Sequence, residues 1–535
     1  MRDHGTFDFI IVGAGSAGCV LANRLSEGGR HSVLLLEAGG EDSNPWIHIP
    51  LGYGKLFNDA RVNWLYRTTP QPGLNDRVIN QPRGKVLGGS SSINGLVYVR
   101  GQAEDFDDWH RMGNAGWAFD DVLPFFIKAE DQARGADDFH GEGGPLPVSD
   151  QTEPHPLCDA FIEAAGQAGH PINPDFNGRT QEGAGYYQTT SRRGLRVSSA
   201  VAYLRPARRR KNLSVVTRAR TTRLIFEGRR VVGVEGQRGD IPFRATCRGE
   251  VVLAAGAIGS PHLMQVSGVG PGALLSRHDV AVVHGLDGVG DHLQDHLQVR
   301  MVLRSVRPIT FNDDMASPWR MAGVGLRFAL QRRGPLTVSA GYAGAFFRTR
   351  PDLDRPDSQI HFINFSTTKM GDRLHAFSGF TASACQLRPE SRGSLKLVSP
   401  DPFVPPAIDP NYLATETDQR VTVDGLKLLR DVMSRSAIAP MIAEEVEPGL
   451  DCASDAQLLA YCRRTGSTIY HPTCTARMGP DDRSVVDARL RVHGLSGLRV
   501  ADGSIMPSVL SGNTHAGIVM IAEKAAHMIL EDARA

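Results

Sequence analysis

A chain of 535 residues with 41% hydrophobic and 22% charged residues has the balance of a soluble globular protein of two or more domains, not of a disordered or fibrous one. A net charge of +1 gives nothing that attracts nucleic acid, and no basic tail marks an anionic membrane surface. The seven cysteines, at 19, 158, 247, 385, 452, 462 and 474, form no CxxC pair, which argues against a disulfide scaffold or a zinc site.

Phe9–Val12 is a short apolar run ending in glycine, read as a buried parallel strand. The sequence enters this strand almost at once, leaving no room for a signal peptide. Cys19–Ser26 has helical spacing, and Ser32–Leu36 is a second apolar run closed by Glu37, so the start is a βαβ unit. Residues 40–83, rich in Pro, Gly, Asn and Trp, read as a long ordered excursion of the kind that covers a ligand. LGGSSSING at 87–95 is a glycine–serine turn framed by apolar residues. Residues 106–129 read as helical, 212–234 as a hairpin-like pair of strands, and 250–254 as a buried strand. From about 300 to 460 the pattern changes to strands at 346–348, 359–365, 381–387 and 393–397, with a helix at 417–436. That is antiparallel sheet plus helices. The last 70 or so residues return to strand–turn–helix, and their apolar stretch Ala516–Leu530 is interrupted by Glu523 and Lys524. No run reaches the roughly 18 apolar residues of a spanning helix. The expected fold is α/β: a Rossmann-like nucleotide domain (1–155, 200–300, 465–535) interrupted by a substrate domain (156–199, 301–464).

Gly13-Ala14-Gly15-Ser16-Ala17-Gly18 follows a strand and opens a helix. Gly13 permits the turn, Gly15 lets backbone approach a pyrophosphate, and Gly18 lets helix and strand pack closely. The helix N-terminus offers free N–H groups to phosphate, and Glu37 suits a ribose diol. Near the other end stand an imidazole, His471, and a carboxamide, Asn513, each beside a turn or helix start. Taken alone, His471 reads as a satisfied histidine and Asn513 as a cap. His292, Asp295 and His296 in DHLQDH have metal-like chemistry, but capping and hydrogen bonding in a turn is the better reading, and no metal is expected. Cys474 reads as a buried structural thiol.

Together these stretches resemble the glucose–methanol–choline (GMC) oxidoreductases nearly end to end. The likeness rests on GAGSAG with Glu37, NWLYRTTPQPGL at 63–74, RGKVLGGSSSINGLVYVRG at 83–101, GAIGSPHLMQVSGVG at 256–270, VGDHLQDH at 289–296 and the tail from His471 to Lys524. Within the family it is most similar to the bacterial choline, sorbose and polyethylene glycol dehydrogenases. The resemblance implies FAD as cofactor and an alcohol as substrate. It makes His471 the catalytic histidine and Asn513 its partner, and sets Asn94, Gly95, Leu96 and Val97 beside the flavin ring. Ala38, Trp64, Val86, Gly89 and Thr221 are further cofactor positions. Asp502 and Gly503 form a second contact with FAD, and Asn513 and Thr514 cover its pyrimidine. Ile93 stands where some relatives link histidine covalently to flavin, so FAD is expected to be noncovalent. Gln298 stands where choline-binding relatives place a glutamate. A neutral amide there gives up roughly 4 kcal/mol of attraction for charges about 4 Å apart at an effective dielectric near 20.

The expectation is therefore FAD-dependent oxidation of a neutral primary alcohol or polyol. Tyr470 and Gln298 would line the substrate site, few charges would be found there, and a quinone-type compound would accept the electrons. Choline dehydrogenation, an oxygen-using oxidase of the same family, hydroxynitrile lyase chemistry, a nicotinamide enzyme and a pure binding protein are the alternatives. The expected location is cytoplasmic or peripheral to the inner membrane; oligomeric state is open.

Overall fold

The structure, a computed structural model, describes residues 1–369 and 371–534. Strand β1 (Arg2–Val12) is buried only in its last four residues, Phe9–Val12, where it is flanked on both sides. These residues pair in parallel with β2 (Val33–Leu36) and with Glu250–Leu253. Unbroken apolar runs such as VLLL are what a strand covered on both faces requires. The parallel sheet extends to Leu213–Val216 beyond β2 and to Leu498–Val500 beyond the 241–253 strand. Helix α1 (Ser16–Glu27) fills one face and packs against the C-terminal helix, with the Arg24 guanidinium donating to the buried Glu523 carboxylate at 2.7 Å.

Two local readings change. Residues 212–234 are not one pair: Leu213–Val216 joins β2 in parallel, and the hairpin is Ala219–Glu227 with Arg230–Arg238, turning at Gly228 (φ +58°). The helical stretch 106–129 is two helices, Ala103–Arg111 and Phe119–Ala129, parted where Gly113 and Gly116 take φ of +95° and +81°. Only glycine holds such values without strain.

A second sheet is antiparallel. Its strands run in the order Ile442–Glu447, β3 (Leu297–Ser305), Gly379–Gln386, Ser358–Ile363, Ala343–Phe347 and Gly183–Tyr186, with Ser467–Thr468 pairing the start of β3. Along β3, Leu297, Val299, Met301 and Leu303 enter a core shared with the helices Pro156–Gln167 and Glu416–Met433. Alternation therefore turns Gln298 and Arg300 to the opposite face. β3 runs across the expected 300/301 domain break, and Leu74 and Ile79 also pack into this second core. Helix α2 (Pro318–Gln331) buries a single residue, Phe328. Helix α3 (His515–Asp532) closes the chain and directs its N-terminus at the cleft between the two sheets.

Candidate active site

The cleft has two chambers that share Ser16, Arg83, Ser90, Thr514 and Ile518. The first, about 1250 Å³ of empty space, lies against the glycine turn. Gly13, Gly15, Ser16, Ala17, Glu37, Ala38, Trp64, Gly89, Thr221, Asp502, Gly503 and Thr514 all line it. Gly18 does not line it; a Cβ there would sit 1.8 Å from the Gly13 carbonyl oxygen, so its role is the close packing read from the motif. Val86 does not line it either: its side chain is fully buried among Ile47, Leu56, Val62 and Ile93. The run of small residues around it hid an apolar anchor for the covering segment.

The Glu37 carboxylate accepts the Ala14 N–H at 2.8 Å and the Gly39 N–H at 2.7 Å, holding both turns, while burial pushes its pKa up to about 7. Asp502 has a tying role too. It accepts from the Gly256 N–H (2.8 Å), the Ser260 hydroxyl (2.6 Å) and the Ser504 N–H and hydroxyl (2.8 and 2.6 Å). Trp64 stacks on Tyr66 at 5.6 Å, with the Arg220 guanidinium 5.0 Å from its ring.

The chamber fits a dinucleotide. The α1 N-terminus has no side-chain cap, so its N–H groups are open to a phosphate. A Cβ on Gly15 would meet nothing nearer than 3.9 Å, leaving room for a ligand against the backbone. The buried Thr221 Oγ1 and His262 Nε2, both lining the chamber, have no hydrogen-bond partner among the described residues. Orphaned polar atoms facing a cavity are what a polar ligand would satisfy.

The second chamber, about 1180 Å³ of empty space, is lined by Asn94, Gly95, Leu96, Val97, Gln298, Tyr470, His471 and Asn513. Ile93 lines it as well, and offers no atom for a covalent link. His471 follows Tyr470, whose φ of +72° is unusual for a bulky residue. The turn is held by buried Asp295. One carboxylate oxygen accepts the His471 N–H at 2.8 Å; the other accepts from Gln81 (2.9 Å), Thr468 (2.7 Å) and the Tyr412 hydroxyl (2.5 Å). The DHLQDH segment thus anchors the turn that carries His471.

His296, set aside as a turn residue, fixes the proton on His471. Its Nε2 lies 2.8 Å from the Leu387 carbonyl oxygen and must donate to it. The Nδ1 of a neutral His296 is then an acceptor, and the His471 Nδ1, 3.0 Å away, is the donor. That leaves a lone pair on His471 Nε2, facing Asn513 Nδ2 at 3.3 Å. Asn513 is oriented in turn by Gln359, whose Nε2 donates to Asn513 Oδ1 and to the Tyr187 hydroxyl, both at 3.1 Å. Burial, then the neighbouring His296, His361 and Arg83, hold the His471 pKa well below the ordinary value. The imidazole is neutral and ready to accept a proton.

The roles of His296, Gln359 and Tyr187 had no local signal, because sheet register brings them to the site. Arg300 had one: it alternates with the apolar residues of β3. Among the described residues the chamber lining contains two arginines, Arg83 and Arg300, and no carboxylate, where few charges were expected.

A dinucleotide cleft opening onto a buried neutral proton acceptor defines a nucleotide-dependent oxidoreductase. The two family models for GMC oxidoreductases match residues 7–298 and 389–522. The chain is 42% identical to the alcohol dehydrogenase [acceptor] of Pseudomonas putida over 98% of its own length and 96% of that protein's. It is 43% identical to the mitochondrial choline dehydrogenase of Mus musculus, over 98% and 89% respectively. Among solved structures, pyridoxine 4-oxidase from Mesorbium loti is 32% identical with a TM-score of 0.88, covering 97% of this chain and 98% of that one. A variant (R554A) of formate oxidase from Aspergillus oryzae, studied for FAD modification, is 26% identical with a TM-score of 0.94, and both chains are fully covered. The chain belongs to the GMC oxidoreductase family, and its cofactor is FAD.

Proposed function

We propose that the chain oxidises a primary alcohol or polyol to the aldehyde or ketone, with His471 as general base and Asn513 holding the alcohol oxygen. The direction of the proton chain carries this reading: Leu387 and His296 leave the His471 Nε2 as an open acceptor beside an amide donor. FAD, when bound noncovalently by the residues of the first chamber, supplies the hydride acceptor. The 3.3 Å contact between Asn513 and His471 is long for a hydrogen bond. An alcohol oxygen set between them donates its proton to Nε2 and accepts from Nδ2. An alcohol's pKa lies near that of water, about 15.7, so free alkoxide would cost at least about 12 kcal/mol against an ordinary imidazole. The depressed basicity of His471 widens that gap. The base therefore takes the proton as the carbon–hydrogen bond breaks, while the Asn513 amide steadies the growing negative charge. Choline, the substrate in several relatives' names, meets Gln298 and no lining carboxylate here.

The test is anaerobic. Adding a primary alcohol to the yellow protein bleaches its visible absorbance. His471→Ala keeps its colour in the resting state and bleaches roughly 10²- to 10⁴-fold more slowly. Equal bleaching rates would remove His471 from the chemistry, and cyanide release without bleaching would mean lyase chemistry.

Electrons then pass to a quinone-type acceptor at a membrane surface. Helix α2 supports this: Trp319, Leu326 and Leu330, exposed by 88%, 61% and 74%, form one stripe at helical spacing. Arg320, Arg332 and Arg333 flank them, with Arg327 paired to Glu153, the pattern of a helix lying on anionic lipid. Two copies meeting through this stripe would bring like charges together. Binding to phosphatidylglycerol vesicles, lost in Trp319→Ser/Leu330→Ser, checks it; protein that stays off the vesicles removes the membrane from the account.

A further inference from the structure

Resting on the reading of the second chamber as an alcohol site, we infer that the alcohol this chain oxidises carries an anionic group, a carboxylate, held by Arg300. Elsewhere two buried guanidinium groups have carboxylate partners, Arg100 with Glu130 at 2.6 Å and Arg499 with Glu250 at 2.6 Å, while buried Arg196 is satisfied by the carbonyl oxygens of Ile47, Pro50 and Ser91 and by Asn94 Oδ1. Arg300 is half-buried, lines the chamber, and has no ion pair and no side-chain hydrogen bond among the described residues. Arg83, the other lining cation, donates to the carbonyl oxygens of Pro82 and Tyr470 and meets no carboxylate within ion-pair distance among those residues. Asp295, whose two oxygens accept four hydrogen bonds within the fold, is the negative charge that acts on Arg83. Arg300 is therefore the lining guanidinium that has neither a hydrogen-bond partner nor a paired carboxylate among the described residues.

Position separates the anion from the reacting hydroxyl. Arg300 stands opposite Ser383 in the sheet, two residues beyond Gln298 and four beyond His296, whose ring touches the base. At about 3.3 Å per residue its Cα lies roughly 13 Å along the chain from that of His296. An ω-hydroxy acid with several methylenes suits this spacing better than a 2-hydroxy acid. A guanidinium fork receives a carboxylate bidentately, which also fixes the direction in which the chain enters. The same charge repels a trimethylammonium group.

The experiment compares 6-hydroxyhexanoate with 1,6-hexanediol as reductants of the holoenzyme. Both are run against the wild type, Arg300→Met and Arg300→Lys at low and high ionic strength. The expected result is at least a tenfold higher kcat/KM for the hydroxy acid, expressed mainly in KM and shrinking with salt. The ratio collapses toward one in Arg300→Met and is partly restored in Arg300→Lys. Visible absorbance per protein and thermal midpoint certify that each variant is folded and loaded. Equal kcat/KM for both compounds in the wild type overturns the inference while leaving alcohol oxidation standing, as does a preference that survives Arg300→Met. If the diol and the acid are both inert, the alcohol reading fails first, and this inference falls with it.

Discussion

The two chambers of the cleft are built by different means. The nucleotide chamber is largely backbone: a glycine turn, an open helix N-terminus and carboxylates that tie loops together. The second chamber is side chains, drawn from β3, from the strands Ser358–Ile363 and Gly379–Gln386, and from the turn at Tyr470 and His471. The first turns on a short glycine loop in which backbone atoms meet at contact distance, so one substitution there can abolish it. The second depends on register between distant strands, so its failures are graded.

The largest effect is expected in the first chamber. Gly18→Ala would place a Cβ 1.8 Å from the Gly13 carbonyl oxygen, whereas a Cβ on Gly28 meets nothing within 4 Å. Gly18→Ala protein should be recovered without FAD or not recovered at all, while Gly28→Ala keeps its colour. Visible absorbance per protein decides, and a yellow Gly18→Ala protein would break the contrast. A middling effect is expected from Asp295→Asn. The amide turns an acceptor into a donor among Gln81, Thr468 and Tyr412, costing roughly 3 kcal/mol. The thermal midpoint and kcat should fall together with FAD content unchanged; lost FAD would mean that the chambers are not separable. The smallest effect is that of pH. A base works deprotonated, so activity is present above its pKa and is lost as pH falls through it. The His471 pKa is held well below 6.5. Its contribution to kcat/KM should be flat from about pH 7 to 9 and decline only on the acid side. A half-point at or above 6.5 would mean that water reaches the imidazole.

What the sequence made legible follows the same division. The βαβ unit, the glycine turn and Glu37 were readable because periodicity and turn chemistry are local signals, whereas His471 and Asn513 were singled out only by the resemblance. The strand at Leu213–Val216 was misjoined to the hairpin because an apolar run does not reveal whether its partner is parallel or antiparallel. Val86 was placed at the cofactor because it sits in the signature stretch, yet its side chain faces a small apolar cluster. His296 and Gln359 carried no local mark. Only the paired register of Gln359 with Cys385, and of Cys385 with Gln298, puts them around one site.

That register has a consequence for how this enzyme can acquire new substrates. Gln359, which aims Asn513, shares its strand with the chamber-lining His361, and Gln298 and Arg300 stand two strands away in the same sheet. Refitting the sheet to a bulkier compound disturbs the alignment of the amide with the imidazole. The Tyr53 and Phe57 rings approach the chamber from a separate segment, with Phe57 5.2 Å from Tyr470. Laboratory evolution of altered selectivity should therefore accumulate changes at that aromatic rim and leave the strands untouched.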